Sequence, residues 1–171
     1  INGRPDIVYS ASSPDENALV SAARHFGYFF YKRSTQTATI QNIRQNIDFE
    51  FQVLNVLKFS SKRKRSSVIV RRPNNTLVLY CKGADNVILE RLKAPTTKEE
   101  EQLIANSKKH TTQFAADGLR TLMISMKNIS EDDYQAWHQK YMQASLGLKN
   151  RQLEIENVCE EMEQDLMLMG V

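Results

Sequence analysis

Between residues 28 and 83 the chain alternates short apolar runs with turns too short to carry it from one edge of a sheet to another. Tyr28 to Arg33 and Thr37 to Ile43 read as strands joined by a polar turn. Phe49, Phe51 and Val53 alternate with Glu50 and Gln52, the period-two pattern of a half-buried strand, and the pattern runs on through VLNVLKF. SSVIVRR and TLVLYC then flank Pro73-Asn74-Asn75. Asparagine accepts positive φ in tight turns, so this stretch predicts a hairpin. Parallel neighbours need a crossover of roughly a dozen residues or more, and these early strands have none. The sheet is therefore expected to be mainly antiparallel.

Helical spacing brackets this run. In SSPDENALVSAARHFGYFF, Ser13 can cap a helix, Pro14 suits its first position, and Glu16 stands three residues after the cap. Leu19, Ala22, Ala23 and Phe26 share a face, and Gly27 ends the segment. DNVILERL reads as a short helix. A longer one is expected from about Thr97 to Ala116, with Leu103, Ile104, Ser107, Thr111 and Phe114 facing inward and Gly118 as its stop. LRTLMISMK reads as a buried strand whose arginine, Arg120, needs a partner. Ser130 opens a helix with Tyr134, Trp137 and Tyr141 on one stripe; NRQLEIENVCEEMEQ is a last helix and DLMLMGV a last strand. The order implies an α+β fold, a mainly antiparallel β-sheet flanked by helices. The 171 residues predict a single domain over 1–171.

Composition narrows the function classes. Six glycines and four prolines argue against disorder, and a net charge of +3 is too mild to call for nucleic acid. Cys81 and Cys159 form no zinc-type spacing, and a disulfide scaffold would carry more cysteines, so a reduced cytosolic compartment is expected. No apolar run approaches the roughly 18 residues of a membrane span. The chain opens on Ile1 and ends on LMLMGV, and both ends read as cut from a longer protein. No GxxxxGK[ST], GxGxxG or HExxH motif occurs. His25, His110 and His138 are scattered, without metal-ligand spacing.

Four stretches keep chemical interest. FSSKRKRSSVIV sets Lys62, Arg63, Lys64 and Arg65 in a row just after Phe59. An aromatic ring beside concentrated cations suits a nucleotide, with the ring on a base and the cations toward phosphates. The same run also reads as a solvated surface or a nucleic-acid patch. In YCKGAD, Lys82 ends a strand and Gly83 follows it; either this is a turn, or an anionic ligand approaches a bare backbone beside an ammonium. In DGLRTL, a phosphate or a carboxylate would partner Arg120. Asp15 and Glu16 stand in the first turn of a helix, where capping and the helix dipole explain them without a ligand.

Taken in order, SPDENALV, FSSKRKRSSVIV, YCKGAD and FAADGLRTL resemble the nucleotide-binding (N) domain of a P-type ATPase, and their wording resembles the P4-type, phospholipid-flippase branch. The likeness runs from Val8 to Val171. It implies a domain that holds ATP so that the γ-phosphate reaches an aspartate elsewhere. Phe59 would stack on adenine, Lys82 would line the adenine pocket, and Gly83 would leave room for the ring. Glu16 would hydrogen-bond near the base, Arg120 would contact the phosphates, and Ser61 and Lys64 would sit beside the nucleotide. Ser66 stands where methionine is common and Asn86 where threonine is, and neither removes a polar ligand group. The DKTGT, TGE and GDGxND motifs of such pumps do not occur. The resemblance thus implies ATP binding without turnover, with Mg2+ held mainly by ATP and the phosphorylation domain. The implied partners are the phosphorylation and actuator domains of the same chain and a regulatory tail, with Thr97–His110 and Asn150–Gln164 as its candidate surfaces. An accessory subunit would not be contacted here. The implied setting is the cytosolic side of an integral membrane protein. The alternatives are an N domain of a cation pump and a nucleic-acid module using Lys62 to Arg65.

Overall fold

The computed structural model describes residues 7–11 and 13–171. Among the described residues, seven strands occupy one sheet in chain order and there are five helices. The fold is α+β, as expected. The chain forms two compact units, Ile1–Val53 with Arg71–Asn75, and Leu54–Val70 with Thr76–Val171.

In the first unit, α1 (Pro14–His25) starts as its sequence requires. Ser13 Oγ accepts the Glu16 backbone N–H at 3.3 Å, and Pro14 occupies the first turn. Gly27, at φ +101°, turns the chain into β1 (Tyr28–Arg33). β1 pairs antiparallel with β2 (Thr37–Asn42), and β2 with β3 (Ile47–Leu57). The face that Leu19, Ala22, Ala23 and Phe26 share is not buried: Phe26 is 66% exposed and Leu19 is exposed too. The helix meets the sheet instead through Arg24, whose guanidinium lies 4.7 Å from the centre of the Phe29 ring. A cation over an aromatic face seals that contact without an apolar stripe.

β4 (Arg65–Arg71) leads to β5 (Leu77–Gly83), a strand of the second unit, through Asn75, which takes φ +65° as the hairpin reading requires. β5 pairs antiparallel with β6 (Met123–Ile129) from Leu77↔Ile129 to Gly83↔Met123, and β6 pairs antiparallel with β7 (Met167–Gly170). α2 (Asp85–Leu89), α3 (Lys98–Ala116), α4 (Glu131–Leu146) and α5 (Arg151–Met162) complete the unit. Leu57, Ile69, Leu79, Ile88, Met123 and Leu166 form the centre of its core. Burial of side chains of this size is worth about 1.5–3 kcal/mol each. Trp137 stacks on Tyr141 at 5.1 Å, and its Nε1 donates to the Val158 carbonyl at 2.8 Å, so the stripe on α4 fastens α5.

Two sequence expectations change here. α3 buries Ser107 and Thr111 and packs Ile104 against the core, as expected, but Leu103 and Phe114 of the same expected face remain exposed. Thr111 Oγ1 donates to the Ser107 carbonyl at 2.9 Å, which makes two small polar residues cheap to bury on a face turned toward β7. The strand expected from Leu119 begins only at Met123, so Arg120 lies in an exposed connection and not on a buried strand.

Candidate functional site

Three chain segments meet at one end of the second unit's sheet. The first is the turn between β3 and β4, residues 58–64. The second is the end of β5 at Lys82 and Gly83. The third is the connection that carries Arg120 into β6, because Met123 pairs with Gly83. Phe59, Ser61, Lys64, Lys82 and Gly83 are therefore brought to one sheet end, and Arg120 stands in the connection that enters β6 there. Glu16 belongs to the first unit, half-buried in the first turn of α1.

The turn is fixed by its carbonyls. The Lys58 carbonyl accepts Arg63 Nη1 at 2.7 Å, and the Ser60 carbonyl accepts the Lys64 N–H at 2.8 Å. The Arg63 carbonyl accepts Arg65 Nη1 at 3.1 Å, and the Lys64 carbonyl accepts the Ala84 N–H at 3.1 Å. Ser60 Oγ also accepts the Arg63 N–H. Lys64 closes the turn in the left-handed region at φ +50°. On this held backbone the Phe59 ring is 64% exposed, and the side chains of Ser61 and Lys64 also face outward. Lys82 is half-buried. An aromatic face and ammonium groups on a rigid turn can receive a planar base carrying an anion.

The role of Gly83 differs from its sequence reading. A Cβ there would stand 2.6 Å from Arg65 Cβ and 2.8 Å from the Lys64 carbonyl oxygen. The space beside this glycine is filled by the chain's own turn and not left open for a ring. Its bare Cα lets β4 and β5 close on each other.

The basic run is also divided. Lys62 and Lys64 are exposed, whereas Arg63 and Arg65 are buried, which removes half of any continuous cationic patch. Both arginines meet Glu163, at the end of α5, whose side chain is fully buried. Its carboxylate accepts Arg63 Nη2, Ser67 Oγ and, at 2.8 Å, Arg65 Nε. Arg65 also pairs with Glu160, which pairs in turn with Arg91 at 2.7 Å. Lys62 reaches Glu156 at 2.8 Å. Burial pushes the Arg65 guanidinium down, but Glu163 and Glu160 outweigh it and hold its pKa above the usual value. Burial likewise raises Glu160, yet hydrogen bonding to Arg65 and the charges of Arg65 and Arg91 bring its carboxyl below the ordinary range. Cys81 and Cys159 are buried thiols beside this cluster; burial lifts Cys81 and carries Cys159 up to about 11.

This network was missed by sequence reasoning, although two signals for it exist. Arginine and lysine alternate through residues 62–65, and Glu156, Glu160 and Glu163 recur at helical spacing on one face of α5.

Elsewhere in the second unit, a cavity of about 30 Å³ lies among Leu92, Leu103, Ile104, Leu166 and Leu168. It has room for about one water molecule and none for a base. Among the described residues, no three His, Cys, Asp or Glu side chains gather to hold a metal ion, and no helix is long and apolar enough to cross a membrane.

The family model for the P-type ATPase cytoplasmic domain N matches residues 5–171. The chain is 42% identical over 165 residues to the phospholipid-transporting ATPase ID of Mus musculus, a match covering 96% of this chain and 13% of that protein. It is 44% identical over 165 residues to the phospholipid-transporting ATPase IC of Xenopus tropicalis, with the same coverage of 96% and 13%. The chain thus spans about 13% of the length of these relatives.

Proposed function

The chain belongs to the P-type ATPase family as a cytoplasmic N domain of the phospholipid-transporting branch, and on that premise we propose that it binds ATP and presents the γ-phosphate to an aspartate carried outside these 171 residues. The observation that carries the reading is Phe59, a mostly exposed ring on a turn whose carbonyls are pinned, at the sheet end that also holds Lys82 and the approach of Arg120. Phe59 stacks on adenine. Lys82 lines the base pocket, Ser61 and Lys64 flank the nucleotide, and Arg120 meets the phosphates. Gly83 serves the pocket by letting the turn close on β5. A role for Glu16 near the base rests on the family resemblance alone.

Mg2+ travels with the phosphates, as the family resemblance implies. Transfer of the phosphoryl group depends on positioning and electrostatics, so this chain contributes by holding the nucleotide in place. It does not hydrolyse ATP by itself. Its partners are the phosphorylation and actuator domains of the same pump, on the cytosolic side of a membrane, with phospholipid transport the activity of the whole protein.

An NMR titration of the labelled chain with ATP, with and without Mg2+, tests the reading. Shifts gathering at Phe59, Lys82, Gly83 and Arg120, and weaker ones with GTP, are expected. No shift at millimolar ATP sinks it.

A further inference from the structure

We propose that Glu163 is a positioning residue for nucleotide binding, acting through Arg63 on the backbone that carries Phe59; the proposal rests on the reading of this turn as the ATP site. Glu163 is far from the turn in sequence and is fully buried at the end of α5. Its carboxylate takes Arg63 Nη2, while Nη1 of the same guanidinium donates to the Lys58 carbonyl at 2.7 Å. That carbonyl belongs to the peptide joining Lys58 to Phe59. One planar fork therefore ties α5 to the peptide bond preceding the aromatic ring. Arginine is suited to this because its donors are fixed in one plane.

A second line runs in parallel. Glu163 accepts Arg65 Nε at 2.8 Å, and Arg65 Nη1 donates to the Arg63 carbonyl at 3.1 Å. Two carbonyls of the turn, at residues 58 and 63, are thus held by guanidiniums that share one buried carboxylate. Ordering the turn before the ligand arrives removes that cost from binding. Glu163 touches neither base nor phosphate in this arrangement. Its effect on affinity passes wholly through the turn.

The test compares Glu163→Gln, Arg63→Met and Leu168→Ala. Leu168 is buried in the core on β7, and its truncation destabilises the unit without reaching the turn. Arg63→Met cuts the link to Lys58 and leaves Glu163 paired with Arg65 and Ser67, so it remains informative if Glu163→Gln does not fold. Urea midpoints, ATP affinity, and the nucleotide-free amide resonances of Phe59 to Lys64 are measured on each. All three variants are expected to lose stability. Only Glu163→Gln and Arg63→Met should move the turn resonances and weaken ATP about tenfold, the factor given by about 1.4 kcal/mol of lost preorganisation. Parental affinity and resonances in both variants overturn the positioning role. Should the parent chain not bind ATP, the functional reading falls instead, and the turn resonances still decide whether Glu163 holds the turn.

Discussion

Replacing Gly83 by alanine perturbs the junction between β4 and β5 with a single methyl group. The added Cβ would lie 2.6 Å from Arg65 Cβ, 2.8 Å from the Lys64 oxygen and 3.0 Å from Arg65 Cα. Carbon atoms rest at about 3.5–4.0 Å, so the turn must retreat by roughly 1 Å. All three neighbours sit on or next to the backbone, and none can rotate away. Overpacking of this kind costs about 1–3 kcal/mol. The same retreat stretches the Ala84 N–H···O=C Lys64 bond beyond its present 3.1 Å, which costs about 1 kcal/mol. Reduced freedom of the unfolded chain returns about 0.4–1 kcal/mol. The net loss is about 2 kcal/mol, which lowers Tm by about 4–8 °C in a chain of this size. Urea unfolding followed by circular dichroism reads it, and ATP affinity should fall with it because the turn carrying Phe59 has moved. A variant with the parental midpoint and parental affinity would refute the view that Gly83 exists for this close approach.

Gly118 offers a contrast, since a Cβ there meets nothing within 4 Å but φ is +76°; Gly118→Ala should cost about 1–2 kcal/mol through backbone strain alone and leave ATP affinity unchanged. Phe59→Ala removes a mostly exposed ring, so the urea midpoint should hold while calorimetry records a loss of about 1–3 kcal/mol in ATP binding; equal affinity would exclude stacking there. Glu160 has a folded-state pKa below its unfolded value, so its stabilisation is present above the unfolded carboxylate pKa and is lost as pH falls through the lower folded one. Glu160→Gln should therefore flatten the acid limb of stability between about pH 4.3 and lower pH, and an unchanged limb in urea titrations would count against the pairing. With Cys159 raised to about 11 and both thiols buried, Ellman's reagent at pH 8 should label neither until the chain unfolds.

The topology was legible because its causes are local. Strand periodicity, the asparagine at residue 75, the Ser13 cap and the stop at Gly118 act within a few residues, and the structure realises each of them. The misplaced faces have non-local causes. Leu19 and Phe26 carry the spacing of a buried stripe, but a sequence does not reveal that Arg24 and Phe29 make the contact with the sheet. On α3 the expected inward face is realised at Ser107 and Thr111 and not at Leu103 and Phe114, which stay exposed. For the site, local pattern indicated Phe59 and Lys82, but the reason for Gly83 lay in a strand whose approach only the fold supplies.

The run KRKR shows what separates a patch from a framework. Counted as charge, it is four cations; placed on backbone, it alternates, with lysines outside and arginines inside. Two causes produce the alternation: the turn, closed by Lys64 at φ +50°, sends Arg63 inward to Lys58 and Glu163, and the strand that starts at Arg65 continues the buried series with Ser67. The outward lysines stay exposed, Lys62 beside Glu156. The inward arginines spend their donors on Glu163, Glu160 and two carbonyls of the turn. If the run served as a nucleic-acid surface, all four cations would be worth exposing, and binding would weaken steeply with salt. With two of them inside, the chain should show no measurable affinity for single- or double-stranded DNA or RNA in fluorescence polarisation at low salt. Binding there, abolished by Lys62→Ala and Lys64→Ala, would mean that two exposed lysines suffice and that the turn is built for a polymer.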